Sequence, residues 1–283
     1  MKKLFIIIGI ILGFFSAVSA DEIVSPPKRI VSLAPSMTEI LYALGLGENI
    51  AGVTTFCDYP EEAKRKPKIG GMSNPSLEAV VSLKPDIVVM TTDGNPKEFD
   101  ERLRQLKIIT YVFQARRLAE LPQGIRDLGA ALKVKERSDR LAKEIEDGLR
   151  KLGASSQSSS LTPRPSSNKK ILFIVWPEPL IVAGPGTVMD DAITLLGYEN
   201  IAASAKTSYP KYSIEEVIRQ APDVIFVGKA SGMDMRPVSQ GILQRMSSVP
   251  AVKIGSVYYV SDRLYRLGPR VIKGIEELAE CLR

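Results

Sequence analysis

A repeated segment constrains this chain more than any other feature. Residues 76–90 and 213–227 share serine, glutamate, valine, proline and aspartate at equal offsets, and four further positions differ only among leucine, isoleucine and valine. A second pair of similar segments, residues 44–51 and 196–202, recurs in the same order. Repeats that recur in order indicate structural units of one kind, so the chain is predicted to have two lobes built on related plans.

Each copy of the repeat predicts a short helix followed by a buried strand. Ser76 and Ser213 are favourable N-cap residues, because a serine hydroxyl can accept a hydrogen bond from a free backbone N–H of the first turn. Glu78 and Glu215 then fall in that turn, where the helix dipole favours a carboxylate. Pro85 ends the first of these helices, and the apolar run behind it is typical of a strand buried on both faces.

Alternation of strands and helices with short loops predicts a doubly wound α/β lobe over residues 28–122 and another over residues 169–283. Between them, residues 136–152 form one amphipathic helical pattern, and residues 123–153 are assigned to a connecting helical spine. Residues 154–168, rich in serine and proline, are expected to form a solvated linker. The predicted fold class is α/β, with two doubly wound lobes joined by one long helix and a ligand cleft between the lobes.

The first elements of the chain can be predicted individually. Residues 30–34 and 50–55 are apolar runs typical of strands. Thr38 is predicted to cap a helix between them that ends near Leu44, where glycines follow.

The first twenty residues predict a secretory signal peptide. Lys2 and Lys3 form a positive start, residues 4–15 are apolar, and residues 18–20 are small enough for cleavage. An uncleaved membrane anchor needs about 20 apolar residues, more than this run provides. The residue directly after the cleavage site is Asp21 and not a cysteine, so a lipid-anchored form is not expected. The mature protein is therefore predicted to be exported and soluble.

Composition disfavours several classes of function. The chain has no histidine, which removes the usual general base and the commonest metal ligand, and no metal site is predicted. Its net charge of +6, to which Lys2 and Lys3 contribute two, is scattered and does not predict nucleic-acid binding. Cys57 and Cys281 lie in different lobes and are interpreted as unpaired. An exported enzyme remains an alternative function, although the aspartates it would use have no evident catalytic partners.

The loops that follow the strands predict where a ligand binds. In open α/β sheets ligands bind beyond the carboxyl ends of the strands, and two such lobes can face each other across a cleft. The aromatic faces, hydroxyls and few charges of these loops suit a bulky, partly apolar ligand. Two alternatives remain open: Trp176 packs within its own lobe, and Asp262 or Arg266 forms a surface ion pair. The candidate ligand-binding residues are Pro35, Ser36, Phe56, Tyr59, Thr91, Trp176, Asp262, Arg263, Tyr265 and Arg266.

Several motifs together resemble those of a known family. They are Arg-Ile-Val-Ser-Leu-Ala-Pro-Ser-Met-Thr-Glu at residues 29–39, Asp-Tyr-Pro at 58–60, Leu77-Glu78, Leu-Lys-Pro-Asp at 83–86, and Pro-Asp at 222–223. The chain resembles the periplasmic substrate-binding proteins of cobalamin and ferric-siderophore ABC importers. The resemblance covers nearly the whole mature chain, and the first lobe is most similar to the cobalamin-binding branch.

The resemblance implies a monomeric periplasmic protein with no resident cofactor. It implies cobalamin as the ligand between the lobes, delivered to an ABC importer permease and its ATPase subunits. It also implies that Glu78 and Glu215 dock onto arginines of that permease. Within the same class, a ferric siderophore is an alternative ligand, and so is haem held by a tyrosine. The alternative from another class is an exported enzyme with Asp58, Asp93 or Asp262 as its acid or base.

Overall fold

The computed structural model describes residues 25–157, 169–229 and 233–283. The predicted signal peptide, residues 1–20, lies outside these ranges, and so does most of the predicted linker. No helix within the described ranges is both long enough and apolar enough to cross a membrane.

The first lobe is a four-stranded parallel sheet with the strand order β2-β1-β3-β4. Its strands are β1 (Ile30–Ser32), β2 (Ile50–Val53), β3 (Ile87–Thr91) and β4 (Thr110–Phe113). Its helices are α1 (Pro35–Ala43), α2 (Leu77–Ser82) and α3 (Lys97–Gln105). The parallel doubly wound arrangement predicted from the alternating pattern is therefore present.

The connection between the lobes consists of two packed helices. They are α4 (Leu121–Ala131) and α5 (Lys135–Gln157). The chain reverses between them at Lys133, whose φ of 56° lies in the left-handed region. Gly129 permits the close approach, since a Cβ there would lie 2.0 Å from the Ser138 hydroxyl oxygen. The long helix predicted over residues 136–152 is part of α5, which continues to Gln157 and so includes residues expected in the linker.

The second lobe has a mixed sheet in the order β6-β5-β8-β9, with β7 also paired to β5. Strand β6 is antiparallel to β5, whereas β7 and β8 are parallel to β5 and β9 is parallel to β8. Its strands are β5 (Lys170–Trp176), β6 (Ile181–Val182), β7 (Glu199–Asn200), β8 (Val224–Gly228) and β9 (Val257–Val260). Its helices are α6 (Val188–Leu195), α7 (Ile214–Gln220), α8 (Met235–Arg245), α9 (Pro250–Lys253) and α10 (Val271–Cys281).

The repeated Pro-Asp dipeptide has the same structural task in both lobes. The Asp86 carboxylate accepts hydrogen bonds from the backbone N–H groups of Lys28 (2.8 Å) and Arg29 (2.9 Å). The Asp223 carboxylate accepts one from the backbone N–H of Lys170 at 2.8 Å. Each aspartate thus joins the start of the central strand to the start of the first strand of its lobe.

The repeated serines cap their helices as predicted. The Ser76 hydroxyl accepts a hydrogen bond from the Ala79 N–H at 3.2 Å, and the Ser213 hydroxyl accepts one from the Glu216 N–H at 3.1 Å. These two caps make α2 and α7 equivalent elements of the two lobes.

The prediction that Thr38 caps the first helix is wrong. Helix α1 begins at Pro35, one turn earlier, with Ala34 in the N-cap position. Proline is favoured at the first helical position because it has no N–H to leave unpaired. Thr38 is therefore inside the helix, buried, and donates to the Ser32 hydroxyl at 2.8 Å.

One apolar core continues from the first lobe through the connecting helices into the second lobe. It contains Met37 and Ile40 of α1, Leu128 of α4, and Phe173 and Ile275 of the second lobe. Two smaller apolar clusters, one in each lobe, cover the outer faces of the two sheets. The lobes therefore share a hydrophobic core.

Candidate functional site

A buried ion network joins the two lobes beside the cleft. The Arg266 guanidinium lies 3.3 Å from the Glu39 carboxylate, 2.5 Å from Asp58 and 2.6 Å from Asp262. Arg270 donates to Glu39 at 2.9 Å. Glu39 and Asp58 belong to the first lobe, whereas Asp262 and both arginines belong to the second. Because only 9% of the Arg266 side chain is exposed, solvent screens these attractions little.

Both arginines remain charged in this network. Burial by itself lowers the pKa of Arg266, but the hydrogen bond to Asp58 and the charges of Asp262 and Glu39 raise it overall above its usual value. Arg270 follows the same pattern, with Glu39 as the partner that raises its pKa. The Arg266 ion pair is therefore buried, not on the surface, and its guanidinium contacts three carboxylates. Ligand contact by Arg266 stays a prediction.

The loop after β2 presents aromatic surface next to this network. Phe56 is 54% exposed and Tyr59 is 46% exposed. The Arg270 guanidinium lies over the Tyr59 ring, 4.0 Å from its centroid, in a cation–π contact that orients the ring. Cys57 anchors this loop, because its side chain is buried and its thiol lies 3.1 Å from the Thr54 hydroxyl.

Further candidate residues lie at or near the same junction. Pro35 and Ser36 open α1, and the Ser36 carbonyl oxygen lies 3.6 Å from where a Cβ on Gly268 of the second lobe would be. Tyr265 packs beside Gly228 at the end of β8, and burial raises the pKa of its phenol. Arg263 is exposed on the same loop. The structure therefore brings Pro35, Ser36, Tyr59, Asp262, Tyr265 and Arg266 to one boundary between the lobes.

Thr91 and Trp176 have local roles. The Thr91 hydroxyl donates to the Asp93 carbonyl at 2.7 Å within its own turn. The Trp176 indole N–H donates to the Glu178 carbonyl at 2.8 Å, and the ring packs against the outer core of the second lobe. Trp176 thus fits the alternative in which it packs within its own lobe. Ligand contact by either residue stays a prediction.

Tyr209 is an exposed aromatic residue of the second lobe that the sequence did not single out. It is 55% exposed, yet burial raises its pKa, and the negative charge of Asp93 in the opposite lobe raises it further. The one available signal was its position, a tyrosine before Pro210 in the loop that precedes α7.

Asn95 organises the loops on the first lobe's side of the cleft. Its side-chain amide donates to the carbonyls of Leu33 and Met72, both at 2.9 Å, and its carbonyl oxygen accepts from the Thr91 N–H at 2.8 Å. One side chain therefore holds the turns after β1 and β3 together with the segment that precedes α2.

A second ion pair joins the lobes on the side of α5. Arg117 of the first lobe contacts the Asp191 carboxylate on α6, which also accepts from the Leu118 N–H at 2.9 Å. Beside this pair lies a cavity of about 850 Å³. It is lined by other residues than those of the aromatic loops, so it is separate from the candidate cleft.

The thiols and carboxylates of the described residues provide no evident metal site. In the part of the chain that the structure describes, no three such side chains are grouped so that they could hold a metal ion. Cys57 and Cys281 are both free thiols.

Two α/β lobes with a helical connector and an aromatic cleft between them define the class of two-lobed ligand-binding proteins. The family model for periplasmic binding proteins matches residues 30–264. The chain belongs to this family. This confirms the resemblance to the cobalamin and ferric-siderophore class that the motifs indicated.

Individual relatives show the same relationship. The chain is 34% identical to the uncharacterized ABC transporter substrate-binding lipoprotein YvrC of Bacillus subtilis, over 90% of this chain and 80% of that protein. The solved vitamin B12-binding protein BtuF of Vibrio cholerae has a TM-score of 0.77 and 28% identity, over 91% of this chain and 97% of its own. The haem-binding protein RhuT of Roseiflexus has a TM-score of 0.80 and 29% identity, over 90% of this chain and 97% of its own.

Proposed function

We propose that this protein captures a corrinoid, cobalamin, in the cleft between its lobes and delivers it to an ABC-type permease. It is a substrate-binding protein of the ABC-importer class, as its family and its relatives indicate. The observation that carries the choice of ligand is half-exposed aromatic surface in both lobes, Phe56 and Tyr59 in the first lobe and Tyr209 in the second. A flat macrocycle with apolar faces and polar edges is complementary to such surface.

The protein acts in this proposal as a periplasmic monomer that binds without turnover. The apolar leader is removed on export, and the permease and its ATPase subunits receive the ligand. Stoichiometric binding with no chemical change in the ligand is the expected behaviour, whereas turnover of any substrate would favour the enzyme alternative.

Haem is the second candidate ligand, and one observation favours it. Tyr59 and Tyr209 are both about half exposed, and a tyrosine can hold haem iron where the chain offers no histidine. The haem-binding relative from Roseiflexus is as similar to this chain as the vitamin B12-binding relative.

Spectroscopy after desalting separates these ligands. The protein is incubated with cyanocobalamin, haemin or a ferric hydroxamate siderophore, desalted, and its absorption spectrum recorded, with calorimetric titration for the stoichiometry. Retention of one cobalamin per protein is the expected result. Retention of haemin alone, with a spectrum that changes in Tyr209→Phe or Tyr59→Phe, would replace the corrinoid by haem.

Truncation of the cleft aromatics tests the site itself. Phe56→Ala is expected to weaken cobalamin binding by about 1–3 kcal/mol, because the ring buries apolar surface against the ligand. Tyr209→Ala is expected to act in the same direction. The matched control is Leu106→Ala, which removes an exposed apolar side chain at the end of α3. Unchanged affinity in both aromatic variants, with the fold intact, would remove these residues from the site.

Glu78 and Glu215 are proposed to dock onto the permease. Both are exposed and follow a capping serine at the same offset, and a carboxylate can accept two hydrogen bonds from an arginine. The double variant Glu78→Ala, Glu215→Ala is expected to keep its ligand affinity and to lose transport in proteoliposomes. Glu216→Ala, which removes the neighbouring carboxylate that pairs with Arg219, is the control. Normal transport by the double variant would leave the two glutamates as helix-end residues only.

A further inference from the structure

Two exposed apolar side chains occupy equivalent places in the two lobes. Val81 on α2 is 40% exposed and Ile218 on α7 is 41% exposed. Each lies five positions after the capping serine of its helix, Ser76 or Ser213. A single exposed apolar residue is common on protein surfaces and needs no explanation. The same kind of residue, equally exposed, at the same position of both lobes does need one.

Each of these side chains lies next to a carboxylate. Glu78 and Glu215 precede Val81 and Ile218 by three residues, a spacing that puts the two members of each pair on one helix face. We call each pair, Glu78 with Val81 and Glu215 with Ile218, a docking pair.

The carboxylates of the docking pairs are available to a partner. Across the described ranges, neither Glu78 nor Glu215 is in an ion pair, whereas the adjacent Glu216 is paired with Arg219 at 2.6 Å. A hydrogen bond from its own backbone N–H and another from the Ser213 hydroxyl lower the pKa of Glu215, so it stays charged. Each lobe thus presents a negative charge and an apolar group on one short helix.

We propose that Val81 and Ile218 form the apolar half of a duplicated docking surface for two related permease subunits. This rests on the proposed function, because it names the partner by the importer class. The partner surface has an arginine or lysine beside an apolar pocket, present once in each of two symmetry-related subunits. Two equivalent docking pairs on one chain match a partner that repeats its surface, whereas a partner with one such surface would use only one lobe.

The two members of a docking pair have different physical effects. A rim carboxylate acts mainly on the association rate and its salt dependence, since its attraction operates over distance. An apolar side chain attracts only at contact, so Val81 and Ile218 stabilise the formed complex and slow its dissociation. The dissociation rate therefore reports on Val81 and Ile218, whereas the association rate and its salt dependence report on Glu78 and Glu215.

Binding kinetics with polar isosteres test the proposal. Val81→Thr and Ile218→Thr keep the branched shape and remove the apolar group at exposed sites, so the fold is expected to be retained. The probe is the permease–ATPase complex of the source organism's importer in lipid nanodiscs, with immobilised full-length protein. The double variant is expected to dissociate about tenfold faster, as for the loss of a contact worth about 1.4 kcal/mol. Its association rate and salt dependence are expected to stay as in the unaltered protein.

The matched control is the double variant Leu106→Thr, Ile254→Thr. These side chains are also exposed and apolar, but they lie outside the repeated segments. The control is expected to dissociate at the unaltered rate. Equal acceleration in both double variants, or none in Val81→Thr, Ile218→Thr, overturns the proposal.

Failure of the ligand assignment is distinguishable from failure of the docking surface. Cobalamin titration of both double variants reports on the cleft alone, and unchanged affinity is expected. If the unaltered protein binds the nanodisc complex but not cobalamin, the corrinoid assignment fails and the docking result still stands. If the unaltered protein does not bind the complex at all, the importer role and this inference fail together.

Discussion

A buried hydroxyl in β4 offers a direct measure of hydrogen bonding in the first lobe. Thr110 is buried, and its hydroxyl has no hydrogen-bond partner among the residues that the structure describes. Thr110→Val replaces that hydroxyl with a methyl group of similar size, and the free energy of unfolding is expected to rise by about 1 kcal/mol. Urea denaturation measures the change.

Thr38→Val is the matched control, since the Thr38 hydroxyl donates to Ser32 at 2.8 Å and also contacts the Cys57 thiol. Removing a bonded hydroxyl is expected to lower the free energy of unfolding by about 1–2 kcal/mol. Destabilisation of equal size in both variants would mean that the Thr110 hydroxyl has a partner in solution.

The ion network around Glu39 gives a larger effect at the residue scale. Glu39→Gln leaves the buried Arg266 and the partly buried Arg270 with one negative charge fewer, and a broken buried ion pair costs about 3 kcal/mol. The comparison is Glu61→Gln, which breaks an exposed pair with Lys64 and is expected to cost less than about 0.5 kcal/mol. Equal stability of the two variants in urea denaturation would show that the network contributes nothing to the folded state.

At the scale of elements, the end of α3 contains a strained residue. Lys107 follows the helix with a φ of 59°, a conformation that costs most residues energy and that glycine adopts freely. Lys107→Gly is expected to raise the free energy of unfolding by about 0.5 kcal/mol, because the relief of strain exceeds the added flexibility of the unfolded chain.

Glu101→Gly, in the interior of the same helix, is expected to lower the free energy of unfolding. Glycine inside a helix costs about 1 kcal/mol, since it increases the freedom of the unfolded chain and adds no contact. Thermal unfolding of both variants measures the difference. A Lys107→Gly variant that melts below the unaltered protein would contradict the role assigned to backbone strain.

At the scale of the whole molecule, the lobes are expected to move little on ligand binding. One apolar core passes from α1 through α4 into the second lobe, and two separate groups of ion pairs join the lobes. Wide hinge closure would break these contacts, because packed cores rearrange in discrete steps and do not deform continuously. Small-angle X-ray scattering with and without ligand is expected to give nearly the same radius of gyration, and a large contraction would contradict this prediction.

Local patterns predicted most of the two lobes. The serine caps of α2 and α7, the strands behind Pro85 and Pro222 and the long helix α5 follow from interactions within a few residues of chain, so the sequence displays them directly. The reversal between α4 and α5 was not predicted, although the regular apolar spacing stops at Leu132 and resumes only at Leu141. It depends on the close approach of Gly129 to Ser138, which only packing reveals.

The sequence by itself determined that this protein has two related α/β lobes, since helix caps, strand patterns and repeats are properties of neighbouring residues. It also named most of the loops at the boundary between the lobes. Only the tertiary structure decided what those side chains do there. Arg266 contacts a glutamate 227 positions away in the chain, and Arg117 of the first lobe pairs with Asp191 of the second. Contacts between residues so distant in sequence leave no periodic signal, because their geometry is set by how the two lobes pack against each other.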